Sequence, residues 1–377
     1  MAYDKVVDSA SLDSKLTQVA DAIRTKGNTS ADLQFPSGFI SAIQAIQTGT
    51  ELQIIVTVQS GATVTATKGS LSVSGTSVNN SCTLTVPEEG DWTVSATLGG
   101  ETSTSNIVNV VSSYDTALAF VSAILNDNSW EKIRSVSDSG IGENVWSIGD
   151  RKEITLNGTV GNLTLSNYTT YAFIIGFNHN SSVEGANRIH FQLGKTALSG
   201  GTDVALCDSY YNNKGGGFRM NTSQTNSGGW NASNMRKNIC GTSLSSYSGT
   251  ILAVIPAALR AVLKSVTKYT DNTGHSFAAS AVTATTDYFF LLSEYEVFGA
   301  ISYGNTNEKS KQAQYSYYSA GNSKVKYNHS ATSTAVIWLL RSPVAGISAS
   351  FVIVLTDGTV SSGSANFSFG FAPGFCV

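Results

Sequence analysis

Charge is scarce in this sequence. Asp, Glu, Lys and Arg make up 13% of the 377 residues, against roughly 25% in ordinary globular domains. The formal net charge is −3, so no basic surface is on offer to nucleic acid or to an anionic membrane. The four cysteines, Cys82, Cys207, Cys240 and Cys376, are far apart. No CxxC spacing occurs, which argues against a structural zinc site. A Cys207–Cys240 disulfide and buried free thiols both fit that spacing. His179, His190, His275 and His329 are isolated from one another in the sequence, and no G-x-S-x-G element occurs. No run approaches the ~18 apolar residues of a membrane span. Met1-Ala2-Tyr3-Asp4-Lys5 has no apolar signal region behind it, so the expectation is cytoplasmic synthesis without the usual export route.

What fills the space is Ser, Thr, Asn and Gly, together with 41% apolar and 10% aromatic residues. That much apolar content can support packed cores, so the low charge does not mean disorder. The length allows two or three domains. Low charge with abundant Ser, Thr and Asn is the composition of β-rich adhesive proteins.

Three segments follow from periodicity. Within residues 1–50, Leu12, Leu16, Val19, Ala20 and Ile23 form a helical stripe over residues 11–26, with Ser11 as cap and Gly27 as stop. A second helix is expected after Pro36, with Phe39, Ile43 and Ile46 on one face. Two apolar faces in so short a segment call for an attachment or oligomerisation role, or for a hairpin folded onto the next domain. Over residues 51–112 the period changes to two. Strands are expected at 53–58, 62–67, 71–74, 82–86, 92–97 and 107–111, separated by Gly and Asn, in the pattern of a small Ig-like sandwich acting as a spacer. Trp92 reads as a core or corner residue.

Residues 113–377 form the third domain. Helices are expected at 116–125 and 256–266, strands at 154–156, 171–177 and 288–292. A loop region is expected between Trp130 and Trp146, and surface loops at 195–230 and 303–334. The fold class is therefore multidomain and mainly β, with an N-terminal helical segment and an α+β C-terminal domain.

The most informative stretch is the last forty residues. Trp338-Leu339-Leu340-Arg341-Ser342-Pro343 and the closing Pro373-Gly374-Phe375-Cys376 frame a filling with one acid, Asp357, and no base between them. A catalytic loop would carry converging titratable groups, so this filling reads as a contact surface. Upstream stand Trp146-Ser147-Ile148-Gly149-Asp150, Ile154-Thr155-Leu156-Asn157-Gly158, Gly229 to Lys237 and Leu291 to Gly299. With the frame, these blocks resemble C-type-lectin-like domains of gut bacteria and their phages over roughly residues 119–377. That fold is shared with formylglycine-generating enzymes, and several members resemble the variable proteins of diversity-generating retroelements. The stretch from Ala20 to Ile43, with Leu33-Gln34-Phe35-Pro36 in it, resembles a module at the start of phage tail and baseplate proteins.

The resemblance implies a phage tail-tip receptor-binding protein. Residues 1–50 would attach it to other tail or baseplate proteins and oligomerise it, with a homotrimer the usual build. The C-terminal domain would bind a host cell-surface receptor, protein or polysaccharide. If diversification operates, Arg341, Ser342, Pro343, Gly346, Phe351, Val352, Val354, Asp357, Gly358, Ala365 and Gly370 read as fixed by the fold. Val344, Ile347, Ala349, Ser350, Ile353, Leu355, Ser361, Gly363, Ser364, Phe367 and Phe369 read as the variable, ligand-binding set. For the apolar members of that set, both a contact patch and core filling fit the sequence. Tyr315, Tyr317 and Tyr318 could extend the surface.

Chemistry is expected to be absent. The Glu-Pro-Asn and Trp-Asn-Asp triplets of calcium-dependent lectins do not occur, and Asp357-Gly358 reads as a hairpin turn. The closely placed cysteines of formylglycine-generating chemistry are missing, and fold does not carry function. Glu294 and Glu296 read as structural. The sequence predicts no catalytic residue, no cofactor and no metal. The alternatives are a structural tail or baseplate component and, behind it, a surface-glycan hydrolase.

Overall fold

The computed structural model describes residues 9–27, 33–34, 39, 52–110, 114–116 and 121–377. The chain divides into two compact units, Met1–Ala119 and Phe120–Val377. It is mainly β. Among the described residues no helix is long and apolar enough to cross a membrane.

In the first unit, α1 spans Ser9–Gly27. Ala20 and Ile23 pack against Phe39, with Leu16 and Leu33 beside them. These few residues therefore close on one another within one chain. Val19, expected on the same stripe, is 47% exposed. The second expected helix, with Ile43 and Ile46, lies outside the described residues apart from Phe39.

Seven strands follow: β1 Gln53–Thr57, β2 Thr63–Lys68, β3 Leu71–Thr76, β4 Ser81–Thr85, β5 Gly90–Leu98, β6 Glu101–Val110 and β7 Tyr114–Thr116. They form two sheets, β4-β1-β7 and β3-β2-β5-β6. Alternate residues are buried, including Ile54 and Val56, Val64 and Ala66, and Trp92, Val94 and Ala96. This is the period-two pattern of strands with one face on a core. Trp92 is fully buried, and its Nε1 donates to the Glu88 carbonyl at 3.2 Å.

The second unit opens differently from expectation. The helix predicted at 116–125 is absent among the described residues there. Thr116 ends a strand, and residues 121–124 are not helical. Asn128 folds that segment into a turn, accepting from Ser122 N and donating to the Ser122 and Ile124 carbonyls. Such side-chain bonds compete with a helix. The helix comes later, as α2 Trp130–Asp138, capped by Ser129 and burying Trp130, Ile133 and Val136. Trp130 thus opens a helix and not a loop.

The main sheet has the order β14-β20-β10-β9-β8. Its strands are β8 Arg151–Val160, β9 Leu163–Phe177, β10 Ile189–Lys195, β14 Phe289–Phe290 and β20 Gly374–Cys376. Every residue of β10 is buried. The final strand lies beside it, pairing His190 with Cys376 and Phe191 with Phe375. Phe375 stacks on Phe191 and meets Trp130 and Phe289. The PGFC ending is therefore interior sheet. The helix expected at 256–266 is the shorter α3, Ala257–Val262, because Val266 already begins β12, Val266–Asp271. Strand β12 pairs with β13, Val282–Asp287.

Two three-stranded sheets complete the unit. One joins β11 Val204–Ala205, β15 Lys326–Asn328 and β16 Ala331–Val336. The other joins β17 Trp338–Pro343, β18 Ser350–Val354 and β19 Val360–Ser364, with β19 at its edge. The turn between β18 and β19 closes on Asp357-Gly358. Gly358 N donates to the Leu355 carbonyl, and Asp357 Oδ1 accepts from Thr359 N. All four cysteines are buried free thiols, so Cys207 and Cys240 form no disulfide.

Candidate functional site

The C-terminal sheet hangs on a buried ionic network. Arg341 of β17 has no exposed surface. Its Nη1 and Nη2 donate to Glu296 Oε2 at 2.5 Å and Oε1 at 2.8 Å. Glu296 sits in α4, Glu294–Phe298, where it forms a capping box with Ser293. Lys268 of β12 donates to Glu296 Oε1 at 2.9 Å, to Glu184 Oε2 at 2.6 Å and to the Tyr315 hydroxyl at 2.8 Å. Ser342 adds a bond to Glu308 Oε2 at 2.8 Å, and Glu308 also accepts from Thr270 Oγ1 and Asp271 N. Burial works against ionisation of Glu296, yet Arg341 and Lys268 hold its carboxyl far below the ordinary range. Glu184 goes the other way: burial pushes its carboxyl up against the pull of Lys268.

Two histidines that stand apart in the sequence meet here. His179 stacks on Tyr315 with ring centroids 3.8 Å apart, and His190 Nδ1 lies 3.1 Å from the Tyr315 hydroxyl. Cys376 Sγ is 3.3 Å from the same Nδ1, and burial raises its thiol to about 12, which makes it inert. His179, Glu184 and Glu296 bring ligand-type atoms within 4.8 Å of one another. The Lys268 ammonium already bridges the two carboxylates, in the place a metal cation would take. The cluster is closed to substrate, since Glu184, His190, Lys268, Glu296 and Arg341 are each at most 3% exposed. What it can do is fix β17 against β12 and α4. Glu294 is likewise structural, accepting from the backbone N–H groups of Ser302, Tyr303 and Gly304.

The expected ligand-binding set lies at several depths. Ile347 is 50% exposed. Ala349, Ser350, Leu355, Ser361, Gly363, Ser364 and Phe367 are half-buried. Val344, Ile353 and Phe369 are buried, at 2%, 3% and 4% exposure. For these three the core placement holds, and Gly363 supplies a reason. A Cβ on Gly363 would lie 2.9 Å from the Phe369 ring and 3.0 Å from Ile353. The bare glycine lets both side chains close beneath β19. Phe367 stacks on Phe369 at 6.1 Å, and cross-strand pairing sets Ser350 beside Ser364 and Ile353 beside Ser361.

The tyrosines expected to extend this surface do not. Tyr315, Tyr317 and Tyr318 are all buried. Their hydroxyls are taken by Lys268, Lys195 and Gln192. Other residues take that position. Phe277 is 70% exposed, and a Cβ on Gly346 would come within 3.0 Å of its ring. Gly346 N donates to the His275 carbonyl, and Ala345 N to that of Tyr303, itself 36% exposed. Phe277, Tyr303 and Ile347 therefore stand on three adjoining loops. At the other end Tyr210, 46% exposed, lies beside the Tyr211–Ser368 and Lys214–Phe367 bridges. An aromatic residue inside the polar turn Thr273-Gly274-His275-Ser276-Phe277 was the available signal. The loop carrying Ile347 is pinned from below: Asn226 Nδ2 donates to the Ile347 carbonyl at 2.7 Å and to that of Ser350 at 2.9 Å.

Residues 203–377 match the model of a family described as a domain of unknown function (DUF6273). The match holds Lys268, Glu296, Arg341 and the whole C-terminal sheet, and leaves out His179, Glu184 and His190. No curated protein matches the chain.

Two outcomes follow from the network. Arg341→Met leaves Glu296 short of its main partner in a dry site, so urea unfolding should show a loss of about 3–5 kcal/mol. A loss below about 1 kcal/mol would mean that the pair does not hold the sheet. The second concerns His179, whose pKa is driven from 6.5 down to about 3 by burial and then by Lys268. The unfolded chain takes up this proton as pH falls below about 6.5 and the folded chain does not, so the contribution of His179 to stability drops from there toward pH 3. At about pH 5 the loss is on the order of 2 kcal/mol. His179→Gln should show a smaller shift of urea midpoint between about pH 7 and about pH 5 than the wild type. Equal shifts would count against a neutral buried imidazole.

Proposed function

We propose that this chain is a receptor-binding protein of a phage tail tip. On this reading its second unit, with a C-type-lectin-like fold, grips a host cell-surface molecule through the loops and edge strand of the β17-β18-β19 sheet. The observation that carries the reading is the gathering of exposed apolar side chains, Phe277, Tyr303 and Ile347, on loops tied to a rigid, ion-paired base. Exposed apolar clusters of this kind mark partner sites, and aromatic side chains anchor them. The anchoring side chains Phe277, Tyr303 and Ile347 include no carboxylate, histidine, cysteine or lysine, which favours binding over catalysis; the flanking loops also carry the exposed His275 and Asp357. Residues 1–50 attach the protein to the tail and assemble it with its copies, as a trimer. The two sheets over residues 53–116 act as an Ig-like spacer. Several copies on one particle would turn weak single contacts into firm attachment.

The direct test is the Phe277→Ser/Ile347→Ser double variant, displayed on the particle and scored for adsorption to the cells it infects. Adsorption should fall about tenfold or more, while the melting temperature and particle assembly stay unchanged. Failed particle assembly would instead make the face a packing surface of a structural tail component. Diversification has its own signature in sequences of this gene across a population. Codons for Ile347, Ala349, Leu355, Ser361 and Phe367 should vary, while those for the buried Val344, Ile353 and Phe369 stay within apolar types. Uniform conservation of all of them would remove the diversification part of the proposal.

A further inference from the structure

A concavity of the Phe120–Val377 unit shares no lining residue with the C-terminal face. It is a shallow, largely open depression of about 390 Å3, lined by Arg134, Asp138, Arg188, Leu263, Lys264 and Tyr288, among others. That volume falls within the range of small-molecule sites. Three cations surround it against one carboxylate. In a chain of net charge −3 with only 13% charged residues, such a concentration of positive charge has to be built.

The wall is held by the backbone. Arg188 Nε and Nη2 donate to the Ser265 carbonyl at 3.0 and 2.9 Å. Lys264 Nζ bonds Ser137 Oγ at 2.9 Å and pairs with Asp138 Oδ1 at 2.7 Å. Arg134 donates through Nε to Asp138 and through Nη1 to the Val262 carbonyl at 2.9 Å. Its Nη2 has no partner among the described residues, and its side chain is 35% exposed. Burial, together with Arg134 and Arg188, pulls the Lys264 pKa below the ordinary lysine range against the opposing pull of Asp138. An anion entering the cavity would relieve this crowding of like charges.

The remaining wall says which anion. A bare phosphate would fill little of the volume and would meet the Asp138 carboxylate. A sugar that carries a carboxylate uses every part. Its carboxylate would meet the free Nη2 of Arg134, its hydroxyls would donate to Asp138, and its apolar face would lie against the half-buried Tyr288. We infer that this cavity is a binding site for a carboxylated monosaccharide unit of the uronic-acid type.

The test is calorimetry and saturation-transfer NMR on the full chain, with glucuronate, glucose and inorganic phosphate as separate probes. Glucuronate should bind with Kd on the order of 1 mM, glucose and phosphate at least about tenfold more weakly. Added salt should weaken glucuronate binding. Arg134→Met should cost about tenfold in affinity with the fold intact. Tyr288→Ala, which leaves the cations in place, should lower affinity for glucuronate and not for phosphate. The inference is overturned if glucuronate fails to saturate in the millimolar range, if glucose or phosphate binds as well, or if folded Arg134→Met binds like the wild type. None of these results bears on the C-terminal face, which Arg134 and Tyr288 do not touch.

Discussion

The bidentate pair between Arg341 and Glu296 is the interaction on which the second unit depends. Both side chains have left water entirely, at a cost of several kcal/mol each before pairing. Their attraction alone would not secure stability, because a well-packed apolar pair can do as well. The difference lies in specificity. Glu296 is also a helix cap, Lys268 also a strand residue, and Ser342 is tied to Glu308 one position beyond Arg341. Sliding β17 by one residue would turn Arg341 toward the other face and strand several buried charges at once. The network thus admits one placement of β17 on β12 and α4.

That placement reaches the surface. Strand β18 pairs with β17 and β19 with β18, so the outer strand takes its position from a charge buried two strands away. Asn226 ties the intervening loop through its own side chain. If the C-terminal face binds as proposed, it would lose little further conformational freedom on contact. Within it, substitutions at exposed positions such as Ile347 need not disturb the base. Those at Val344, Ile353 or Phe369 would open voids beneath the sheet.

How far the sequence could be read depended on the range of each interaction. The strands of the first unit were legible because alternation of Val, Ala and Thr is a local pattern. The hairpin at Asp357-Gly358 was legible for the same reason. Within the segment expected to be helical at 116–125, the described residues 121–124 are not helical, because Asn128 competes for their backbone. Tyr315, Tyr317 and Tyr318 looked like surface residues in a polar loop. Their partners Lys268, Lys195 and Gln192 are 47, 122 and 126 residues away, beyond any window of periodicity. The meeting of His179 with His190 depends on β9 and β10 lying side by side, which their spacing does not reveal. Phe277 is hard to read from the sequence because a single aromatic residue among turn formers carries no period.

The shortage of charge takes on a different meaning once its location is known. Lys195, Lys268, Asp287, Glu296, Glu308 and Arg341 all lie in the interior of the second unit, so the charges outside are fewer than composition suggests. A surface of Ser, Thr, Asn and Gly exerts little long-range field, and encounters with it are weakly steered. On the proposed reading, recognition at the C-terminal face would rest on apolar contact and shape, which salt affects little. The cavity around Arg134, Arg188 and Lys264 is the counterexample within the same unit. There, charge is kept near the surface and only partly neutralised, the arrangement expected of a site that selects by charge. One fold can carry both because its interior ion pairs fix the frame independently of what either surface displays.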